Sequence, residues 1–235
     1  MGIGVSDHRP GGVAGRRRVW LLAIDTSTEQ AGIALTDGGS LAQHSWPAGR
    51  QQTTTVLPAV EHLLAKCAVT LDEVGAVAVA TGPGSFTGLR VGISLAKGFV
   101  LASERAMVGV PTLDLVAAPC VALSVDCVAV IPAGRGRVVW ARYGAEGAGE
   151  APRNSTFDEL LTEIAKEPSP LVVGELAEGQ RNAIANRSIW VAPIAMAECR
   201  AGSLAEIGYE RWRKGEVDDA ATLKPIYLHG RPNPR

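Results

Sequence analysis

The first half of the chain alternates between apolar runs of strand length and apolar positions spaced at the helical period. A continuous apolar run over residues 19–24 is typical of a strand covered on both faces. Apolar runs and alternation predict three further strands, over residues 31–36, 40–45 and 74–80. Apolar positions at the helical period predict two helices, over residues 53–67 and 87–103. The predicted order of this half is β-β-β-α-β-α.

The second half shows weaker patterns. A link over residues 109–114 leads into a helix that ends near residue 123. The pattern then predicts a hairpin (residues 126–131 and 137–143), a loop (144–154) and a helix (156–166). Two short strands (171–173 and 189–191) and a last amphipathic helix (195–214) follow. Strands and helices in both halves indicate an α/β protein. We expect two lobes, residues 19–115 and 116–228, with the last helix free to pack back on the first lobe, and tails over residues 1–18 and 229–235.

The helix predicted over residues 87–103 is apolar almost all round. Gly88, Gly92 and Ala96 recur every four residues and form a stripe of small residues, over which another backbone can approach closely. Each glycine inside a helix costs about 1 kcal/mol relative to alanine, so close packing should compensate for that loss. Two interpretations remain open: the helix is buried wholly within its own domain, or it lies between its own sheet and a partner protein.

A glycine-rich loop over residues 81–88 connects the fourth predicted strand to this helix. A strand, a glycine turn and a helix start can together bind an anion. However, Gly88 is followed by Leu89 and Arg90 rather than by the lysine and hydroxyl residue of a Walker loop. The third glycine also comes one residue too late for a dinucleotide loop. We therefore expect Ser85 to cap the helix rather than to serve as a nucleophile.

Composition and charge narrow the classes of function. The 235 residues are 46% hydrophobic and 20% charged, as in a folded protein. A formal net charge of −1 disfavours a stand-alone RNA-binding module. The apolar runs fall short of the roughly 20 residues of a membrane span, and we expect a cytoplasmic protein. The cysteines form no C-x-x-C pair and the histidines have no metal-binding spacing, so we expect reduced cysteines, no metal and no cofactor.

Asp25 is the best candidate for a catalytic carboxylate, because it follows the first buried strand, where α/β sheets often bind ligands. It is followed by the hydroxyl residues Thr26, Ser27 and Thr28. The turn in the second half that would face it, over residues 132–136, contains no acidic residue. Asp25 is therefore interpreted either as a hydrogen-bond anchor for its own loop or as a nucleotide or metal contact.

Several strings together resemble one family closely. They are Leu-Ala-Ile-Asp-Thr-Ser-Thr at residues 22–28, Leu-Pro at 57–58, Thr-Gly-Pro-Gly-Ser-Phe-Thr-Gly-Leu-Arg at 81–90 and Val-Pro-Thr-Leu at 110–113. The chain resembles the bacterial TsaB family of tRNA threonylcarbamoyladenosine biosynthesis proteins, also called YeaZ. The likeness is good over residues 19–143, weaker beyond them, and returns at residues 225–228. The string at residues 81–90 is its most specific part.

This resemblance implies a two-lobed actin-like fold (ribonuclease H-like, ASKHA) with a reduced second lobe. It also implies a non-catalytic scaffold and activator of the TsaD-type enzyme that forms N6-threonylcarbamoyladenosine at position 37 of tRNAs reading codons that begin with A. A TsaE-like ATPase would complete the assembly, and tRNA would be bound only indirectly. The alternative is a stand-alone actin-fold enzyme, either a nucleotide-dependent kinase or a peptidase-like hydrolase.

In the resembled family, the two long helices of the first lobe pair with TsaD or with a second copy of the protein. Carried over to this sequence, that partner surface comprises residues on both predicted helices: Val56, Leu57, Val60, Leu64, Gly88, Leu89, Val91, Gly92, Leu95, Ala96 and Phe99. A weak nucleotide contact would fall on Asp25, Thr26 and Ser27. The sequence also departs from the family pattern. Gln52 stands where many members have histidine, and Pro132 and Arg137 replace an acidic turn, which weakens the case for nucleotide binding between the lobes.

Overall fold

The structure is a computed structural model that describes residues 18–49, 51–147, 149–166, 171–198 and 200–228. The described residues form two five-stranded sheets, each flanked by helices. Three strands of the second sheet have only four, four and two residues, so the second lobe is the smaller one. The predicted α/β class and the two-lobed actin-like fold with a reduced second lobe are confirmed.

The first sheet has the strand order β3-β2-β1-β4-β5. Its strands are β1 (Trp20–Asp25), β2 (Gln30–Thr36), β3 (Leu41–Pro47), β4 (Val74–Gly82) and β5 (Ala106–Pro111). The first three strands form an antiparallel meander, whereas β4 and β5 run parallel to β1. As a result, β1 lies at the centre of the sheet, and the residues at its carboxyl end lie beside those that follow β4.

The second sheet repeats this topology in the order β10-β9-β6-β7-β8. Its strands are β6 (Cys127–Pro132), β7 (Arg137–Tyr143), β8 (Arg153–Thr156), β9 (Leu171–Gly174) and β10 (Trp190–Val191). Again an antiparallel meander is followed by two strands parallel to its first strand. The two lobes are therefore structural repeats, although we found no repeat in the sequence.

Seven helices are described along the chain. They are α1 (Gln52–Lys66), α2 (Phe86–Leu101), α3 (Thr112–Ala122), α4 (Phe157–Ile164), α5 (Glu178–Ala185), α6 (Ile194–Glu198) and α7 (Arg200–Arg213). Ser85 caps α2, because its hydroxyl oxygen accepts the Gly88 N–H at 3.2 Å, as predicted. Within the described residues, no helix is both long and apolar enough to cross a membrane.

The two faces of the first sheet bury residues of different size. Leu22 and Ile24 of β1 pack with aliphatic side chains of α1 and α2. Leu21 and Ala23, which point to the opposite face, pack with α7 and with a row of alanines from β4. The small residues on that face let α7 pack closely. A side chain at position 208 of α7 would collide with Ala78, and the residue there is Gly208. Helix α7 therefore covers the first sheet although it comes late in the chain.

Three elements differ from the prediction. Strand β5 includes residues 109–111, which the sequence predicts as part of a link between the lobes. It is a buried strand. Position 109 suits glycine because Thr81 and Leu223 occupy the space that a side chain would need. Strand β8 begins inside the predicted loop, and α5 lies between the two predicted short strands, where the sequence pattern predicts no element. The predicted last helix is described over Ile194–Glu198 and Arg200–Arg213, on either side of residue 199, which lies outside the described residues.

Some predictions fall on residues that the structure does not describe. These are the tails over residues 1–17 and 229–235, and Cys199. The other three cysteines are free thiols, of which Cys120 and Cys127 are buried. The predicted boundaries of the two lobes remain a prediction.

Candidate functional site

The turn between β1 and β2, residues 25–28, holds the predicted catalytic carboxylate in a closed environment. Asp25 is 1% exposed. Its Oδ1 accepts hydrogen bonds from the Ser27 N–H at 2.9 Å and the Ser27 hydroxyl at 2.6 Å. Its Oδ2 accepts the Nε–H of Arg200 at 2.8 Å. Asp25 is thus the anchor of its own loop, one of the two roles predicted for it, and it also forms a buried ion pair.

Arg200, the first residue of α7, fills the space in front of Asp25. Besides Asp25, its guanidinium donates to Glu175 at 3.1 Å, to Thr28 Oγ1 of the β1–β2 turn at 2.8 Å and to the Gln30 carbonyl of β2 at 2.9 Å. Burial alone lowers the pKa of Arg200, but the carboxylates of Asp25 and Glu175 outweigh it and raise that pKa. Arg200 was not predicted as a site residue, because 175 residues separate it from Asp25 and no local pattern joins the two.

Nothing in this geometry supports the predicted nucleotide contact. Thr26 is 2% exposed and donates its hydroxyl to the Gly88 carbonyl at 2.7 Å. Ser27 is fully buried, and its carbonyl accepts the Ser85 N–H at 2.6 Å. The polar atoms of the turn are therefore used within the chain. Among the residues described, no three His, Cys, Asp or Glu side chains are grouped so that they could hold a metal ion.

The small-residue stripe of α2 packs against this same turn. A Cβ atom on Gly88 would lie 2.1 Å from the Thr26 carbonyl oxygen, and one on Gly92 would lie 2.3 Å from the Thr26 hydroxyl oxygen. The close approach predicted over these glycines therefore exists, but the chain's own β1–β2 turn makes it. The prediction that Gly88 and Gly92 face a partner is wrong, because Thr26 occupies that space.

Other residues of the predicted partner surface also belong to the core of the first lobe. Val60, Leu89 and Ala96 are at most 1% exposed and pack inside the chain, so they too were wrongly placed on the surface. Val56 is equally buried, although it lines the floor of the groove described below. The five remaining residues of that set are exposed or half-buried: Leu57, Leu64, Val91, Leu95 and Phe99.

Gln52, which departs from the resembled family, has a structural role. It is 4% exposed at the start of α1, and its Nε2 donates to the Thr28 carbonyl oxygen. Its amide also lies where a side chain on Gly88 would extend. Gln52 therefore connects α1, α2 and the β1–β2 turn.

On the outer side of the same helices, α1 and α2 enclose a solvent-exposed groove of about 600 Å³. Leu57 is 43% and Phe86 55% exposed there. The groove is lined by apolar side chains, by four neutral polar residues and by one arginine: Val56, Leu57, Phe86, Val91 and Leu95, then Gln52, Thr53, Thr87 and Ser94, then Arg90. An exposed apolar concavity with a polar margin is typical of a protein-binding surface.

Arg90 lies at one edge of this groove in a fixed position. Its guanidinium carbon is 3.8 Å from the centroid of the Phe86 ring, a cation–π contact. Its Nε donates to the Tyr227 hydroxyl oxygen at 3.1 Å. The Tyr227 ring lies 5.2 Å from the Phe86 ring. The three side chains form one cluster that joins α2 to the end of the described chain.

The segment over residues 223–228, here called the C-terminal strap, carries Tyr227 across the glycine-rich loop. Ile226 donates its N–H to the Thr81 carbonyl at 2.7 Å, and its own backbone fills the space beside Gly82. The Leu228 carbonyl accepts a hydrogen bond from Asn154 of the second sheet at 3.5 Å. The strap thus lies in the cleft between the lobes, next to a cavity of about 200 Å³.

Sequence comparisons give a consistent set of relatives. The family model described as TsaD, tRNA N6-adenosine threonylcarbamoyltransferase, matches residues 46–202. The tRNA threonylcarbamoyladenosine biosynthesis protein TsaB of Escherichia coli is 36% identical over 157 residues, which cover 66% of this chain and 68% of that protein. TsaB of Haemophilus influenzae is 37% identical over 97 residues, which cover 41% of each chain.

Solved structures agree on the fold. A crystal structure of a protein with similarity to peptidase YeaZ from Pseudomonas aeruginosa aligns with a TM-score of 0.72 at 25% identity, over 90% of this chain and 100% of that one. The structure of YeaZ from Pseudomonas aeruginosa aligns with a TM-score of 0.69 at 24% identity, over 89% of this chain and 100% of that one.

Proposed function

The chain belongs to the TsaB family, also called YeaZ, and we propose that it is a non-catalytic subunit of the machinery that makes threonylcarbamoyladenosine in tRNA. Its place in this biosynthesis follows from the family. The matched TsaD family model is named after a transferase. The accessory role of this chain is therefore our own inference. In this proposal the protein works in the cytoplasm, and a TsaD-like subunit carries out the transfer.

The observation that carries the proposal is the exposed apolar groove between α1 and α2. Leu57 and Phe86 leave 43% and 55% of their surfaces in water, although the same helices bury Val60 and Leu89 tightly on their inner side. Covering such a groove stabilises a complex through the hydrophobic effect, and a few central residues contribute most of the affinity. The proposed occupant is a TsaD-like subunit, which this surface would hold in its active state. A second copy of the chain, and a TsaE-like ATPase elsewhere on the complex, are further proposed partners.

The closed β1–β2 turn supports an accessory role over the stand-alone enzyme. A kinase or hydrolase of this fold needs a carboxylate that can reach a substrate or a metal-bound water. Here the Asp25 carboxylate accepts three hydrogen bonds within the chain, one of them from Arg200. To free it, a substrate would have to displace a buried ion pair, which is costly.

The proposal is tested by placing a charge in the groove. In Leu57→Glu the carboxylate would have to lose its water in the complex, so we expect affinity for a purified TsaD-like subunit to fall by about a hundredfold or more. Tm should change little, because Leu57 is 43% exposed. Threonylcarbamoylation of tRNA by the reconstituted mixture should fall in parallel, and calorimetry measures the binding directly.

Leu123→Glu is the matched control, because Leu123 is 69% exposed after α3 and outside the groove. It should bind like the wild type. If Leu57→Glu binds normally while remaining folded, the groove is not the docking surface. If the wild-type chain alone transfers threonylcarbamoyl groups, and Asp25→Ala abolishes that transfer, the chain is the enzyme.

A further inference from the structure

The groove between α1 and α2 contains one charge, and the described residues supply no carboxylate that pairs with it. Arg90 is the only charged residue among the ten that line it. Within the described part of the chain, no carboxylate lies within 4.0 Å of its guanidinium, whereas Arg200 pairs with two. Arginine offers five N–H donors, and the described contacts of Arg90 engage only Nε. The terminal nitrogens Nη1 and Nη2 are thus available to a ligand.

The position of Arg90 is fixed before any partner binds. The Phe86 ring supports one face of the guanidinium, and Tyr227 orients it through Nε. A free arginine side chain loses conformational entropy when it is immobilised, and a pre-positioned one loses less. Because Tyr227 comes from the C-terminal strap, the chain uses a segment far along its sequence to orient a surface arginine. That arrangement is typical of a binding residue and has no evident role in the core.

We propose that Arg90 is the cationic anchor of the groove and binds an aspartate or glutamate side chain of the TsaD-like partner. This inference rests on the proposed function, and it specifies the chemistry of the partner. Covering the apolar groove would remove water from around Arg90, and a desolvated cation without a counter-ion is unfavourable. A planar guanidinium matches a carboxylate through two parallel hydrogen bonds, so an acidic side chain is the group that satisfies it best.

The same charge distinguishes the TsaD-like partner from a second copy of the chain. In a two-fold symmetric pair the same patch faces itself, so each groove would bring an arginine and no carboxylate of its own. Each arginine would then lose water without gaining a counter-ion from the lining of the other groove, which opposes association. Arg90 therefore favours the TsaD-like partner over self-association.

The test compares Arg90→Gln with the wild type in two binding measurements. Calorimetry with the purified TsaD-like subunit should show affinity reduced about tenfold or more for Arg90→Gln, and reduced less for Arg90→Lys, which keeps the charge but not the fork. The wild-type affinity should also fall more steeply with added sodium chloride than that of Arg90→Gln. Light scattering should show self-association of Arg90→Gln equal to or stronger than that of the wild type. The control is Arg187→Gln, an exposed arginine outside the groove, which should bind like the wild type.

Two results would overturn this inference. Affinity of Arg90→Gln within twofold of the wild type would show that the complex does not use the cation. Equal loss of self-association and of partner binding would show that Arg90 does not discriminate between the two. In either case Leu57→Glu decides the fate of the proposed function separately. If Leu57→Glu still abolishes binding, the groove stands without its anchor, and if it binds normally, both proposals fail.

A charge exchange identifies the counter-ion. Arg90→Glu should weaken binding by about a hundredfold, because it places two carboxylates together. Replacing the contacting acidic residue of the TsaD-like subunit by arginine should restore at least tenfold of that loss, and acidic residues elsewhere on that subunit should not. If no acidic residue of the partner surface gives such a recovery, the carboxylate assignment is wrong.

Discussion

The β1–β2 turn and the outer side of helices α1 and α2 each hold an arginine, in opposite environments. At the β1–β2 turn Arg200 is buried and donates hydrogen bonds to Asp25, Glu175, Thr28 and Gln30. On the outer side Arg90 is exposed, rests on Phe86 and makes a single described hydrogen bond, to Tyr227. The first arginine is satisfied within the fold, and the second keeps donors that the described residues do not use.

The difference shows how one pair of helices can serve both folding and binding. Where the chain satisfies its own polar groups and leaves no room for a side chain, as around Thr26 and Gly88, substitutions should act on stability. Where it leaves apolar area and an arginine in water, substitutions should act on association. The three predictions that follow test this division, beginning with the largest expected effect.

Removing the buried arginine should have the largest effect on stability. In Arg200→Met the Asp25 carboxylate, 1% exposed, loses its only described ion-pair partner. Removal of one partner from a buried ion pair costs about 3–5 kcal/mol. We therefore expect the free energy of unfolding, measured by urea titration, to fall by about that amount.

The double variant Asp25→Asn with Arg200→Met separates the charge effect from lost packing. It should recover a large part of the loss, because no unpaired charge remains at the β1–β2 turn. If Arg200→Met alone is as stable as the wild type, the site at the β1–β2 turn is open to water or to a ligand. The contrast drawn between the two arginines is then wrong.

Two glycines of the same helix should respond in opposite directions to alanine. A Cβ on Gly88 would lie 2.1 Å from the Thr26 carbonyl, whereas one on Gly98 would meet nothing within 4 Å. Gly88→Ala should cost about 1–3 kcal/mol by overpacking. Gly98→Ala should stabilise by about 0.4–1 kcal/mol, because alanine restricts the unfolded chain.

Thermal unfolding of the two alanine variants measures both shifts under the same conditions. Equal effects on Tm would mean that the helix is not held against the β1–β2 turn. Gly88 would then again be interpreted as a residue that faces a partner protein, because the β1–β2 turn would not explain its small size.

The smallest effect is expected at the C-terminal strap. Tyr227→Phe keeps the ring beside Phe86 but removes the hydroxyl that accepts from Arg90. Because the contact is exposed, the free energy of unfolding should change by less than about 0.5 kcal/mol. Affinity for the TsaD-like subunit should fall by about two- to threefold, because Arg90 would be held less firmly. A stability loss as large as that of Gly88→Ala would mean that the strap serves folding instead.

Elements whose signals are local could be predicted from neighbouring residues alone. The apolar run of β1, the helical period of α1 and the Ser85 cap were all predicted close to their observed places. Thr156 and Glu159 open α4 through reciprocal hydrogen bonds, where the sequence placed a helix start. The string over residues 81–90 also identified the family. Such signals extend over one or two turns of helix or one strand, so neighbouring residues suffice to recognise them.

The group that each residue faces depends on the packing of distant segments, and no local pattern predicted it. The glycine stripe of α2 indicated that something packs closely, and the structure showed that Thr26 of the same chain does so. The partner of Asp25 comes from α7, 175 residues away, and no local pattern marks that pairing. The Tyr227 hydroxyl meets Arg90 across 137 residues in the same way. The helical period of apolar residues indicates which positions of a helix are buried. Which residues cover those positions depends on how distant segments of the chain pack together.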